Sequence, residues 1–178
     1  PAHLSFAQAS AFPLAGLTAF RSLFVKAEIK KTDNVLITGI GGGVASFALM
    51  FAAETGAKVF VTSGNEDKII NAVSLGAEGG VNYKSADWQN KLKDITENKI
   101  DIVIDGSGGK FFAGYIDICS YGARIVSYGA TLGSADKLDL HKVYWKQLKI
   151  SGSTMGTLTD FSNMLKFSDS NQIKPVID

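Results

Sequence analysis

Residues 34–54 read N-V-L-I-T-G-I-G-G-G-V-A-S-F-A-L-M-F-A-A-E, and this stretch decides the fold. It opens with an apolar run, Val35-Leu36-Ile37-Thr38, and passes through four glycines in the five positions 39–43. It then continues as an apolar segment in which Val44, Phe47, Ala48 and Phe51 fall at i, i+3, i+4 and i+7, one face of a helix. The uncharged run from Asn34 to Ala53 has the length of a membrane span, and Gly39 and Gly43 even sit at GxxxG spacing. Clustered glycines would ruin a lone helix, so the stretch reads as buried strand, glycine turn and buried helix.

The same rhythm repeats outward from it. Further apolar runs are Val59–Thr62, Val81–Tyr83, Ile102–Ile104, Arg124–Tyr128 and Leu148–Ile150, most of them dense in β-branched residues, as expected of parallel strands covered on both faces. Helix patterns lie between them. Ile69 and Val73 follow the start signal Asn65-Glu66-Asp67 and are ended by Gly76; Trp88, Leu92 and Ile95 follow a cap at Ser85. Phe112, Tyr115, Ile116 and Cys119 share a face, and Thr159 starts a helix carrying Phe161, Met164 and Leu165. At the front, Ser5-Phe6-Ala7-Gln8 has capping-box spacing and Leu17, Phe20 and Phe24 line a second helix. Six strands alternating with helices predict an α/β domain with a doubly wound parallel sheet and helices on both faces.

Composition narrows the function classes. Of 178 residues, 46% are hydrophobic and 20% charged, which excludes a disordered tail. Lys+Arg 18 against Asp+Glu 17 leaves a formal charge of +1, with no basic run to suit nucleic acid or a membrane surface. The single cysteine, Cys119, makes no internal disulfide. No targeting signal stands out in the uncharged first twenty residues, so a cytoplasmic protein is expected.

The glycine turn carries the chemistry. A strand-to-helix turn rich in glycine lets a bulky anion approach free N–H groups and the positive end of a helix dipole, which suits the pyrophosphate of a dinucleotide at Gly41, Gly42, Gly43 and Val44. The register departs from a strict GxGxxG: a frame beginning at Ile40 has Gly42 and Gly43 in its third and fourth places and Ala45 in its sixth. At the end of the second strand, where an acidic residue would hold an adenosine ribose, stand Thr62, Ser63, Gly64 and Asn65, with Lys68 one turn further on. No carboxylate there repels a 2′-phosphate and a lysine attracts it, which favours NADP(H) over NAD(H); a solvated lysine beside Glu66 and Asp67 is the plainer alternative. Further turns at Gly106-Ser107, Gly129 and Ser153 to Gly156 follow later strands and fall at the same sheet edge.

Taken in order, "VLITGIGGGVASFALMFAAETGAKVFVTSGNEDKI", "SLGAEGGVNY", "DIVIDGSGG", "GARIVSYGAT" and "LKISGSTMGT" resemble the medium-chain dehydrogenase/reductase superfamily, in its zinc-type alcohol dehydrogenase-like and quinone oxidoreductase branch. The resemblance covers nearly the whole chain. It implies a Rossmann-type coenzyme domain over 1–178, with 1–30 as leading hinge-side helices and "IKPVID" as the point where the chain returns to a GroES-like catalytic domain that lies outside these residues. It also implies pyrophosphate contacts at Gly42, Gly43 and Val44. Ser63, Lys68 and Tyr83 would hold the 2′-phosphate end of NADPH. Gly106, Ser107, Gly129, Ser153 and Met155 would lie on the nicotinamide side. Zinc-dependent relatives place a cysteine just before "AGLTAF"; here that residue is Leu14, and His3, His141 and Cys119 lack ligand spacing, so no zinc is expected in this segment.

The resemblance makes the expected function hydride transfer to or from a carbonyl, quinone or activated alkene, with no catalytic residue identifiable in the chain. Two alternatives stand beside it: a non-catalytic nucleotide-binding or dimerisation module, and an S-adenosylmethionine-dependent methyltransferase. The second is disfavoured by the missing acid at Thr62-Ser63. A short-chain reductase is disfavoured because Tyr115, Tyr121, Tyr128 and Tyr144 have no lysine four residues on. The strand at 148–153 can act as a sheet edge that pairs with a second copy, so a homodimer is expected.

Overall fold

Strands that are apolar at every position need cover on both faces, and the computed structural model, which describes residues 1–177, provides it. Six strands, β1 (Asn34–Ile37), β2 (Lys58–Ser63), β3 (Gly79–Asn82), β4 (Ile102–Asp105), β5 (Arg124–Ser127) and β6 (Lys149–Gly152), form one sheet in the order β3-β2-β1-β4-β5-β6. Every pairing is parallel. Alternate residues sort into two cores: Val35, Ile37, Val59, Val61, Ile102, Ile104 and Val126 point to one, Leu36, Phe60, Val103 and Ile125 to the other. The chain is therefore the doubly wound Rossmann-like α/β fold expected, and its strand order reverses at β1, between β2 and β4.

The first core is covered by a helical rod over residues 12–26, by α3 (Gly43–Glu54), and by α8 (Leu158–Ser170). The rod's central α2 turn (Leu17–Phe20) is flanked by π-helical turns Phe12–Gly16 and Arg21–Lys26, with Pro13 in the first turn, where no N–H is needed. It follows α1 (Phe6–Ser10), whose Ser5–Gln8 capping box forms as its spacing predicts. Against the expectation of one apolar face, α3 buries Ala45, Phe47, Ala48, Leu49, Met50, Phe51 and Ala52. It is apolar nearly all round because α2 and α8 cover its outer side: Phe12 meets Phe47 edge-on at 4.8 Å, and Phe51 lies 5.9 Å from Phe167.

The second core is covered by α5 (Trp88–Ile95) and α6 (Phe112–Ile118). Cys119, at the end of α6, is buried there, and burial pushes its thiol up to about 12, which makes it an inert packing residue.

Several boundaries differ from the sequence reading. In α4 (Glu66–Ser74), Asn65 caps as expected, but Ile69 and Ala72 are buried while Val73 is exposed. Asp87, not Ser85, occupies the cap position of α5; the Ser85 hydroxyl donates to its carboxylate at 2.6 Å. For α8 the cap is Thr157, in a capping box with Asp160, two residues before the expected Thr159. A short helix, α7 (Leu140–Trp145), had no counterpart in the sequence reading. It docks through Lys146, whose ammonium donates to the carbonyls of Ile116, Asp117 and Cys119 at 3.1, 2.8 and 2.9 Å. Residues 173–177 carry no regular structure, and Asp178 lies outside the described residues. Among the described residues no helix is long and apolar enough to cross a membrane.

At the amino end of the sheet, Arg124 fastens the helical rod to β5. It donates to Ala27 O at 2.8 Å and to Asp33 Oδ1 at 2.7 Å, and Asp33 is 6% exposed. Removing one partner of such a pair strands the other charge. Arg124→Met should therefore lower the unfolding free energy by roughly 3–5 kcal/mol, read as a reduced urea midpoint with unchanged slope.

Candidate functional site

The site starts where β1 runs out. Thr38 N still bonds Ile104 O at 3.1 Å, after which Gly39 (φ +65°) and Gly41 (φ +104°) reverse the chain and Gly42 leads into α3. The turn is hooked onto the end of β2: Ile40 N donates to Thr62 O at 2.9 Å and Gly39 N to Thr62 Oγ1 at 3.4 Å. Thr62 is fully buried, so it holds the turn from behind. Among the described residues no side chain caps α3, which leaves the N–H groups of its first turn facing the sheet edge.

Two of the glycines have different reasons to be there. A side chain at Gly41 would meet both strain and Lys68, whose Cδ lies 2.7 Å from the place of a Cβ. At Gly42 the backbone is ordinary (φ −92°, ψ 155°) and a Cβ would find nothing nearer than Gly39 O at 4.0 Å. The fold does not require glycine at 42, and the open space there leaves the backbone accessible to an anion.

Across from the turn stands the tip of β4. Asp105, fully buried, accepts from Thr38 Oγ1 at 2.6 Å, from Ser107 N at 3.1 Å and from Gly108 N at 3.0 Å. These bonds satisfy its carboxylate and pin the tips of β1 and β4 together. Between them lies a crevice of about 220 Å³ lined by Thr38, Gly42, Val44, Ser107, Tyr128 and Thr131, with Gly43 and Gly106 also bordering it. Burial, and then the charge of Asp105, push the Tyr128 hydroxyl up to about 12, so it keeps its proton and is a donor throughout the neutral range.

A second crevice, of about 320 Å³, lies at the tip of β2 and shares Gly39 with the first. Ser63, Asn65, Lys68 and Tyr83 line it. Tyr83 N extends the β2–β3 ladder to Ser63 O at 3.1 Å, and its ring rests 4.9 Å from that of Phe111. Lys84 also lines this crevice, and the sequence reading missed it; its only signal is its place directly after Tyr83.

The structure thus gathers Gly42, Gly43, Val44, Gly106 and Ser107 in one crevice and Ser63, Lys68 and Tyr83 in the next. Of the remaining candidates, Gly41 and Gly129 adjoin these crevices, and Ser153 and Met155 line neither. Gly41 borders an adjoining cavity of about 490 Å³ between α3 and α4, which shares Gly43 with the first crevice and Lys68 with the second. Gly129 packs beside Gly106 at the rim of the first crevice, its carbonyl accepting from Ser127 Oγ at 3.2 Å, and Ser153 N donates to Ser127 O at 2.9 Å on the β5–β6 side. Met155 (φ +48°) turns back toward α2, its sulfur 3.9 Å from Thr18 Oγ1. Among the described residues no three His, Cys, Asp or Glu side chains stand together, so the donor set does not fit a zinc ion.

Residues 43–170 match the family model described as zinc-binding dehydrogenase. A zinc-type alcohol dehydrogenase-like protein of Leptosphaeria maculans is 36% identical over 99% of this chain and 51% of its own length. A quinone oxidoreductase of Escherichia coli is 32% identical over 93% of this chain and 53% of its own. Among solved structures, a crystal structure of an NAD-dependent alcohol dehydrogenase superposes with a TM-score of 0.92 at 37% identity, covering 99% of this chain and 52% of that one. The chain spans about half the length of the curated relatives it matches.

The open space at Gly42 gives a clean test. Gly42→Ala should leave the melting temperature within about 2 °C, since the site is unstrained, yet weaken dinucleotide binding by roughly tenfold or more in a fluorescence titration. Unchanged binding would show that no anion approaches this backbone.

Proposed function

The chain belongs to the zinc-binding dehydrogenase family, and from that premise we propose that it is the coenzyme-binding part of an NADP(H)-dependent oxidoreductase of the alcohol dehydrogenase-like or quinone reductase type. The substrate class in this reading is a carbonyl, quinone or activated alkene. When bound, the nicotinamide supplies the hydride chemistry. The chain's own residues bind and orient. First-turn N–H groups of α3 and the Ser107 region take the pyrophosphate, and the protonated Tyr128 hydroxyl offers a further donor beside it. A GroES-like domain formed by chain outside these residues supplies the substrate wall, which agrees with coverage of half of each relative.

One observation carries the choice of NADP(H): the crevice at the tip of β2 is lined by Ser63, Lys68 and Tyr83 and by no carboxylate. A ribose 2′,3′-diol wants an acidic acceptor there, whereas a 2′-phosphate wants hydroxyl and ammonium donors. The NAD dependence named for the structural neighbour is a property of that protein; the residues at this tip support the other coenzyme. A charge-assisted contact of about 1.5–3 kcal/mol corresponds to roughly 10–100-fold in affinity. Isothermal titration should find NADPH tighter than NADH by about that factor, with Lys68→Ala removing much of the gap. Equal affinities in the unaltered chain would contradict the assignment.

The same reading includes a homodimer through β6. This strand is a sheet edge, Ile150 on it is exposed, and Leu140, Tyr144 and Trp145 of α7 expose further apolar surface. Sedimentation should give twice the chain mass at micromolar concentration, and Ile150→Lys should shift it toward the monomer.

A further inference from the structure

We infer that Lys84 is a second specificity-determining cation, which with Lys68 brackets the phosphate that marks NADP(H). The inference rests on the reading that the β2-tip crevice takes the 2′-phosphate, and it adds a residue which neither the glycine motif nor the strand-tip pattern identifies.

Three features place Lys84. The ladder between β2 and β3 pairs Ser63 with Asn82, so the residues that follow emerge together at the same edge. Beyond Asn82 the chain turns tightly: Lys84 N donates to Asn82 Oδ1 at 3.0 Å and Ser85 N to Asn82 O at 3.0 Å. That turn carries the Lys84 side chain back across the end of β2, where its Cε lies 2.9 Å from the place a Cβ would take on Gly64. The absence of a side chain at Gly64 therefore makes room for Lys84 and for Tyr83, whose Oη lies 2.8 Å from the same point.

Lys68 reaches the crevice from the opposite side, from the first turns of α4, and lies over Gly41. Among the described residues neither Lys68 nor Lys84 forms an ion pair; the six ion pairs involve other cations. Glu66, the nearest acid in sequence to Lys68 besides Asp67, accepts from Asn82 Nδ2 at 2.9 Å and, with Asp94, borders the neighbouring cavity of about 620 Å³ that Lys84 also lines, so the acids near Lys84 lie in that cavity and none lines the crevice at the tip of β2. Two lysines without an ion-pair partner thus line one crevice of about 320 Å³ from two elements, together with Ser63 and Tyr83. A singly charged ligand needs one cation; a phosphate dianion is matched by two. Lysines, as flexible point charges, close on such a group without the fixed geometry an arginine would impose.

The experiment is a titration of the unaltered chain, Lys84→Ala, Lys84→Arg and Lys68→Ala with NADPH and with NADH, each variant first checked by circular dichroism. Lys84→Ala should weaken NADPH about tenfold and leave NADH within about twofold, and Lys84→Arg should retain most of the NADPH affinity. If the unaltered chain prefers NADPH, Lys68→Ala reduces that preference and Lys84→Ala titrates like the unaltered chain, the role of Lys84 is overturned while the coenzyme assignment stands. Equal loss of NADPH and NADH affinity in Lys84→Ala also overturns it, because the lysine would then act on a part common to both. If the unaltered chain shows no preference, the assignment of the crevice itself fails and the inference falls with it.

Discussion

The hydrogen bond from the Thr38 hydroxyl to the buried carboxylate of Asp105 joins the two strand tips between which the candidate crevice opens. A parallel sheet ends in loops that diverge to its two faces at the point where strand order reverses, here between β1 and its neighbours β2 and β4. Left alone, that divergence would leave two mobile loops. The Asp105 carboxylate closes it by gathering a hydroxyl from β1 and two amides, those of Ser107 and Gly108, from its own loop. Thr62 performs the matching task on the other side, holding the glycine turn by two contacts from β2. Both residues are fully buried, so they act by fixing backbone whose N–H groups then face outward.

Much of this was legible in the sequence, for reasons that can be located. Strands such as Ile102-Val103-Ile104 are apolar on both faces, and burial on both faces leaves that mark. The helix α3 was legible in position but not in environment: its apolar residues run all round because α2 and α8 cover it, and periodicity alone describes a helix with one wet side. α7 carries signals in the sequence, with Asp139 as cap and Leu140, Val143 and Tyr144 at helical spacing, but six residues make too short a window for that periodicity to stand out. Thr157 and Thr159 are both credible caps, and only the reciprocal bond of Asp160 to Thr157 N at 2.9 Å decides between them.

The candidate site was legible where the chain is contiguous and obscure where it is assembled. The glycine turn and Lys68 follow one another along β1-α3-β2-α4 and could be read in order. Lys84 could not: a lysine one place after a tyrosine reads as a solvated turn residue, and only the β2–β3 register brings it against Gly64. Met155 is a different case. It lies in a glycine-bearing loop that follows β6, with a positive φ and its sulfur 3.9 Å from Thr18 Oγ1, and neither of these could be read from its neighbours in the chain. The family's description carries the word zinc, whereas among the described residues the donors do not converge; Leu14, exposed on the leading helix, has no ligating atom.

The central claim is that a dinucleotide crosses the sheet edge from the tip of β2, over the glycine turn, to the tip of β4. A crystal structure of the chain soaked with saturating NADPH tests it most directly. The expected density has its pyrophosphate against the first-turn N–H groups of α3, between Gly42 and Ser107, and a phosphate beside Lys68. Clear density for the coenzyme anywhere else, with Tyr128 and Thr131 still closing an empty crevice, would contradict it.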